Sequence, residues 1–169
     1  MILKTSRFFW EKDDNPEIRN LYNDVNVKAN EYTHRRVDVS DIVEAHLLAV
    51  DRVEAIGFSK YIISATSPFT KEDLSILNVD ASSILNRYYP KIEAIYNRKS
   101  WKLFSKIGRV YINQKARTEL NWQPKYNFQY VLDCLEKGID FRSPLAIEIG
   151  VKGYHGDLYK DGLYPIVES

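Results

Sequence analysis

The sequence is short of almost everything that announces a specialised chemistry. It holds one cysteine, Cys134, among 169 residues, so an internal disulfide is ruled out and no Cys/His set stands at zinc spacing. No apolar run approaches the roughly 20 residues that a membrane helix requires, so no membrane span is expected. The opening "MILKTSRFF" is interrupted by Lys4 and Arg7 before the apolar centre of a secretory signal can develop, and a cytoplasmic, reducing location is the expectation. Charge of either sign is not in excess: the formal net charge is +1. Nucleic-acid binding draws on clustered Lys and Arg that displace counterions from phosphates, so no nucleic-acid partner is expected. Neither a repeat nor a low-complexity segment is present.

What is there is the composition of a globular protein, 44% hydrophobic and 28% charged, with aromatics at 13% and twelve tyrosines. Tyrosine offers an apolar face and a hydroxyl, which suits sugar or nucleotide contact as well as ordinary half-buried positions. The apolar segment from Ile2 to Phe9 reads as a strand of the kind buried between neighbours in a sheet. Asp13 to Pro16 is a break, and Pro16 suits the first position of a short helix to about Tyr22. "RRVDVSD" hands over to a long helix capped by Ser40 or Asp38, with Ile42, Ala45, Ala49, Val53 and Ile56 along one face and Gly57 at its stop. "KYIISAT" is a short buried strand, and Thr70 with Asp73 is a cap-like helix start. A helix from Asp80 to about Tyr89 ends at Pro90, a further short one runs through Ile95, and "RVYIN" reads as a last strand.

The stretch "ARTELNWQPKYNF" is a helix, a turn and a helix. Asn113 caps the first helix, and Asn121 sits where a left-handed residue closes one, a role Asn fills next after Gly. Pro124 forbids continuation and holds Gln123 extended, so Trp122 folds back over the helix end as a packing residue. Asn127 then caps a helix with Phe128, Val131, Leu132 and Leu135 on one stripe, closed by Gly138.

Leu120-Asn121-Trp122-Gln123-Pro124 resembles the Leu-Gly-Trp-x-Pro signature of extended short-chain dehydrogenases/reductases, the NAD-dependent epimerase/dehydratase family. "VDVSDIVEAHLLAV", with Val39, Ser40 and Asp41, resembles that family's Val-x-Asp segment. "KYIISATSPFTKEDL" resembles the strand and capped helix that follow it, and "ILKTSRFF" the sixth strand of the nucleotide-binding sheet. Family members hold NAD or NADP on a Gly-x-x-Gly-x-x-Gly turn and move a proton with a Tyr-x-x-x-Lys pair. Gly150, Gly153 and Gly156 have the glycine spelling, but they follow the helix-like "SPLAIEI" rather than a buried strand, and a loop is the reading. Tyr111 and Lys115 have the pair's spacing, yet twelve tyrosines and fourteen lysines produce about one such match by chance. Strand and helix positions would also keep the two side chains apart.

The resemblance therefore implies an α/β chain of mostly helices with a few short strands and no Rossmann half. Residues 1–150 would be the substrate-binding portion and 151–169 a loosely docked tail. It implies no catalytic residue and no cofactor bound by this chain alone, with NAD or NADP belonging to the complete enzyme. A nucleotide-sugar is the implied ligand, and a separate Rossmann-half chain or a homo-oligomer the implied partner. A pyrophosphate needs cations, and arginine's fork binds two oxygens at once. Arg7, Arg35, Arg36 and Arg109 are the candidates, with Asn30, and Lys28 beside it, for sugar hydroxyls. His46 and His155 lack a partner at metal spacing.

Overall fold

The structure is a computed structural model and describes residues 1–151. Tail residues 152–169, with Gly153, His155 and Gly156, lie outside the described residues. Among the described residues the chain is a mostly helical α/β fold: β1 (Ile2–Thr5), α1 (Pro16–Leu21), α2 (Asp24–Glu31), α3 (Val39–Ile56), β2 (Lys60–Ile63), α4 (Leu74–Leu77), α5 (Ala81–Tyr88), α6 (Ile92–Arg98), α7 (Gln114–Leu120), α8 (Phe128–Lys137) and α9 (Pro144–Ile149). No helix is long and apolar enough to cross a membrane.

The two strands are parallel, with Ile2 opposite Lys60 and Thr5 opposite Ile63. Tyr61 and Ile63 face a core that α3 and α7 cover with Ile42, Ala45, Ala49, Ala116 and Leu120. The alternation along β2, exposed then buried, is that of a sheet covered on one face. Two expectations for the first strand are corrected. It ends at Thr5 rather than Phe9, and it is not enclosed, since Ile2 is 42% exposed. The residues at 35–37 enter beside it: Arg7 N donates to Arg35 O, Val37 N to Arg7 O and Ala65 N to Arg36 O. That wedge takes over the hydrogen bonds a longer β1 and β2 would have shared.

On α3 the stripe holds at Ile42, Ala45 and Ala49, and Ile56 packs partly buried against the same core, while Val53 is 40% exposed. Its cap is Asp38, whose Oδ1 accepts from Ser40 N at 2.8 Å and whose Oδ2 accepts from Ser143 N at 3.1 Å. Thr70 and Asp73 pair as the cap-like start predicts, since Asp73 Oδ2 accepts from the Thr70 amide at 2.9 Å as the acidic half of a capping box does, and α4 itself begins at Leu74.

The turn between α7 and α8 matches the capping argument at its closing residues, whereas Asn113 makes no side-chain cap for α7, because its amide donates to Ser64 O and Thr66 Oγ1 instead. Asn121 is left-handed at φ 54° and ψ 36°, Asn127 accepts from Tyr130 N, and Gly138 closes α8 at φ 69°. Trp122 goes further than covering a helix end. It is fully buried between α3 and α7, and its Nε1 donates to Asp41 O at 3.0 Å. The Asp41 carboxylate accepts from Lys125 N at 2.9 Å and Tyr126 N at 3.0 Å. One turn of α3 thereby fixes the path of the whole connection.

"RVYIN" is not a strand; 101–113 carries no regular hydrogen-bond ladder, and its amides and carbonyls are met singly by other elements. Lys28 and Asn30, the candidates for sugar hydroxyls, lie on α2 and are each about 1% exposed. Lys28 pairs with Asp24, and the Trp10 ring lies under its ammonium.

Burial pushes the Asp41 carboxyl up from 3.8 to about 6, against the opposing pull of the two backbone amides that bond it. A raised folded-state value means stability that is fully present below the unfolded value and is lost as pH rises through about 6. The difference in melting temperature between wild type and Asp41→Asn, followed from pH 4 to 7, is expected to move against the wild type as pH rises. A difference independent of pH contradicts this assignment.

Candidate functional site

A cleft of about 580 Å³ opens where α1, the chain leaving α2 and the irregular stretch 104–111 meet. Its irregular wall is held at several points. Lys102 is clasped by Asn26, whose amide donates to its carbonyl and whose Oδ1 accepts from its N–H, both at 3.0 Å. Asn30 Nδ2 adds a bond to the same carbonyl at 2.8 Å. Ala81 N donates to Ser105 O, Ile107 N to Leu77 O and Tyr111 N to His34 O. Six hydrogen bonds, at Lys102, Ser105, Ile107 and Tyr111, hold a segment that has no helix or ladder of its own.

The wall is aromatic on one side. Phe104 meets Tyr22 edge-on at 5.1 Å and His34 at 6.1 Å. Arg35, Lys106 and Arg109 supply positive charge, and among the described residues no carboxylate lines the cleft. Lys106 and Arg109 are exposed and enter no ion pair among the described residues. The field in the cleft is accordingly positive, in a protein whose whole charge is near zero.

The arginine candidates separate by what they already hold. Glu31, about 1% exposed, accepts from Arg7 Nη1 at 3.1 Å, Arg35 Nη2 at 3.0 Å and Arg36 Nε at 3.0 Å. Arg36 is spent there, since its other nitrogens donate to Phe9 O and its plane lies 5.4 Å from the Trp10 ring. Arg7 also binds Asp13 at 2.8 Å. Arg35 makes a single contact with Glu31, stays part-exposed and lines the cleft. So Arg35 and Arg109 come together, while Arg7, Arg36 and Asn30 do not share that space.

His34, the neighbour of Arg35, lines the cleft while only 6% exposed. Burial first, and Arg35 second, push its imidazole down to about 3, so the ring is neutral at physiological pH. Tyr22, Phe104 and Lys106 had no sequence signal. Glu31 had one, since Glu at 31 and Arg at 35 have the spacing of a helical ion pair. Tyr111 and Lys115 have separate surroundings: Tyr111 lines the cleft, whereas Lys115 Nζ donates to Ser59 Oγ at 2.7 Å and lies over the Tyr61 ring. His46 Nδ1 is bonded to Ile42 O. Among the described residues no group of three or more His, Cys, Asp or Glu could hold a metal ion.

No family model, no curated protein and no solved structure matches this chain.

A carboxylate closed away from water is tolerable only while paired. Glu31→Gln removes the charge that three arginines face, and a loss of about 3 kcal/mol or more in unfolding free energy is expected, measured by urea denaturation. A variant as stable as wild type would show that the cluster is not needed.

Proposed function

We propose that the cleft binds a nucleotide-sugar or a related nucleoside diphosphate, and that the chain is the substrate-binding portion of an NAD-dependent epimerase/dehydratase-like protein, inactive by itself. The observation that carries the reading is the pairing in one cleft of an aromatic wall with three cations, of which only Arg35 is held by a carboxylate among the described residues. Phosphate oxygens are met by arginine forks and a lysine, and a base by ring faces and edges, with stacking worth about 1–3 kcal/mol per base. The parallel pairing of β1 with β2 is in keeping with the resemblance of these segments to the sixth strand and its successor. In this reading NAD or NADP is held by other polypeptide.

The test is a melting-temperature panel of nucleotide-sugars, inorganic pyrophosphate and free sugars. A rise with the nucleotide-sugars is expected, together with a loss of about tenfold in their affinity in Arg109→Gln. A flat panel, or an Arg109→Gln protein that binds as wild type does, contradicts the cleft assignment. Micromolar binding of NADH in calorimetry contradicts the assignment of the coenzyme to another polypeptide.

A second reading, a subunit completed by a separately encoded Rossmann half, is favoured by the sheet. Among the described residues the far edge of β1 has no strand beside it, and Ile2 and Ile62, at 42% and 37% exposed, stand on the uncovered face. Val43, Leu47 and Val50 are exposed along α3 as well. A stable monomer in sedimentation at micromolar concentration, with no partner captured, argues against this reading.

A further inference from the structure

His34 has a determined tautomer. Thr33 Oγ1 lies 2.6 Å from Asn30 O, and a carbonyl can only accept, so the hydroxyl hydrogen lies on that line. The same oxygen lies 2.8 Å from His34 Nδ1. Its one hydrogen is already committed, so toward the ring it can only accept. The imidazole hydrogen therefore sits on Nδ1, and Nε2 carries a bare lone pair.

Among the described residues no hydrogen bond reaches Nε2, and the ring, 6% exposed, lines the cleft. The ring belongs to the aromatic wall through Phe104, and its neighbour Arg35 is one of the three cations. Every other charged side chain facing the cleft is a donor: Arg35, Lys106 and Arg109 carry only N–H groups. The nearest buried carboxylate, Glu31, is already shared among arginines.

We propose that His34 Nε2 is the acceptor by which the cleft selects its ligand, reading an N–H on the edge of the base while the cations hold the phosphates. The inference rests on the cleft being the nucleotide site. It makes His34 a specificity residue and not a proton carrier, since a ring that stays neutral well below neutral pH is a weak base. Bases with a ring N–H, such as uracil, suit a bare nitrogen; a ring whose nitrogen carries a lone pair or a methyl group does not. A site built to accept from an N–H leaves that acceptor unpaired when the N–H is absent, and discriminates against the analogue accordingly.

The test is calorimetric titration of the full chain with uridine diphosphate, 3-methyluridine diphosphate and inorganic pyrophosphate. Wild type is expected to prefer uridine diphosphate by about tenfold. In His34→Phe the preference disappears while pyrophosphate affinity is unchanged, and His34→Gln, which keeps an acceptor oxygen, retains part of it. Thr33→Val leaves the cleft lining intact but releases the ring hydrogen, and is expected to weaken the preference. Because either variant could disturb folding, a nitrogen-proton correlation spectrum of wild-type His34 reads the tautomer directly, with the hydrogen on Nδ1 expected. Hydrogen on Nε2, equal binding of both nucleotides by wild type, or a preference that survives in His34→Phe overturns the inference. If uridine diphosphate and pyrophosphate bind and Arg109→Gln weakens both, while the methyl group makes no difference, the cleft assignment stands and this inference alone falls. If neither binds, both fall.

Discussion

A carboxylate shut away from water needs cations, and Glu31 takes three. Desolvating one such group costs several kcal/mol, and its pairing with Arg7, Arg35 and Arg36 offsets that cost while tying the chain that follows β1 to the end of α2 and the residues just beyond it. Arg7 follows β1, Glu31 ends α2, and Arg35 and Arg36 lie in the wedge between the strand continuations. Arg7 divides itself between Glu31 and Asp13 and also feels Asp14, whereas Arg35, held by one contact only, reaches the cleft.

The first turn of α3 does for the far side of the molecule what Glu31 does for the near side. Asp38 caps its own helix and receives Ser143 at the start of α9, and Asp41 receives Trp122 by its carbonyl and Lys125 and Tyr126 by its carboxylate. Two aspartates three residues apart thus anchor the α7–α8 connection and α9. The cleft wall at 104–111 is braced differently, by the side-chain amides of Asn26 and Asn30 and by single backbone bonds. It keeps its shape without regular secondary structure because each polar group is met where it falls.

Local chemistry was the legible part of the sequence. Asn121, Asn127 and Gly138 were readable because capping and left-handed closure depend on a few neighbouring residues. The apolar stripe of α8 and the inner face of α3 were readable because burial imposes the helical period. What escaped had causes beyond the local window. Residues 24–31 are polar in sequence, and nothing local says that Lys28 and Asn30 are buried, since their partners Trp10 and Lys102 lie far along the chain. "RVYIN" has a strand's composition, but a strand requires a neighbour in register, and here His34 offers a single carbonyl. Of the site, Arg35 and Arg109 were within reach because phosphate chemistry names the residue type. Arg7 and Arg36 look the same in sequence and differ only in being held by Glu31, Asp13 and Phe9.

In the proposed reading one cleft, cationic and aromatic together, receives the ligand. A titration of isotope-labelled protein with uridine diphosphate, followed by backbone amide shifts residue by residue, tests it. Changes are expected at Tyr22, His34, Arg35 and 104–111, with β1 and the exposed face of α3 silent. Changes centred on β1 or on Val43, Leu47 and Val50, with the 104–111 amides unmoved, would contradict it.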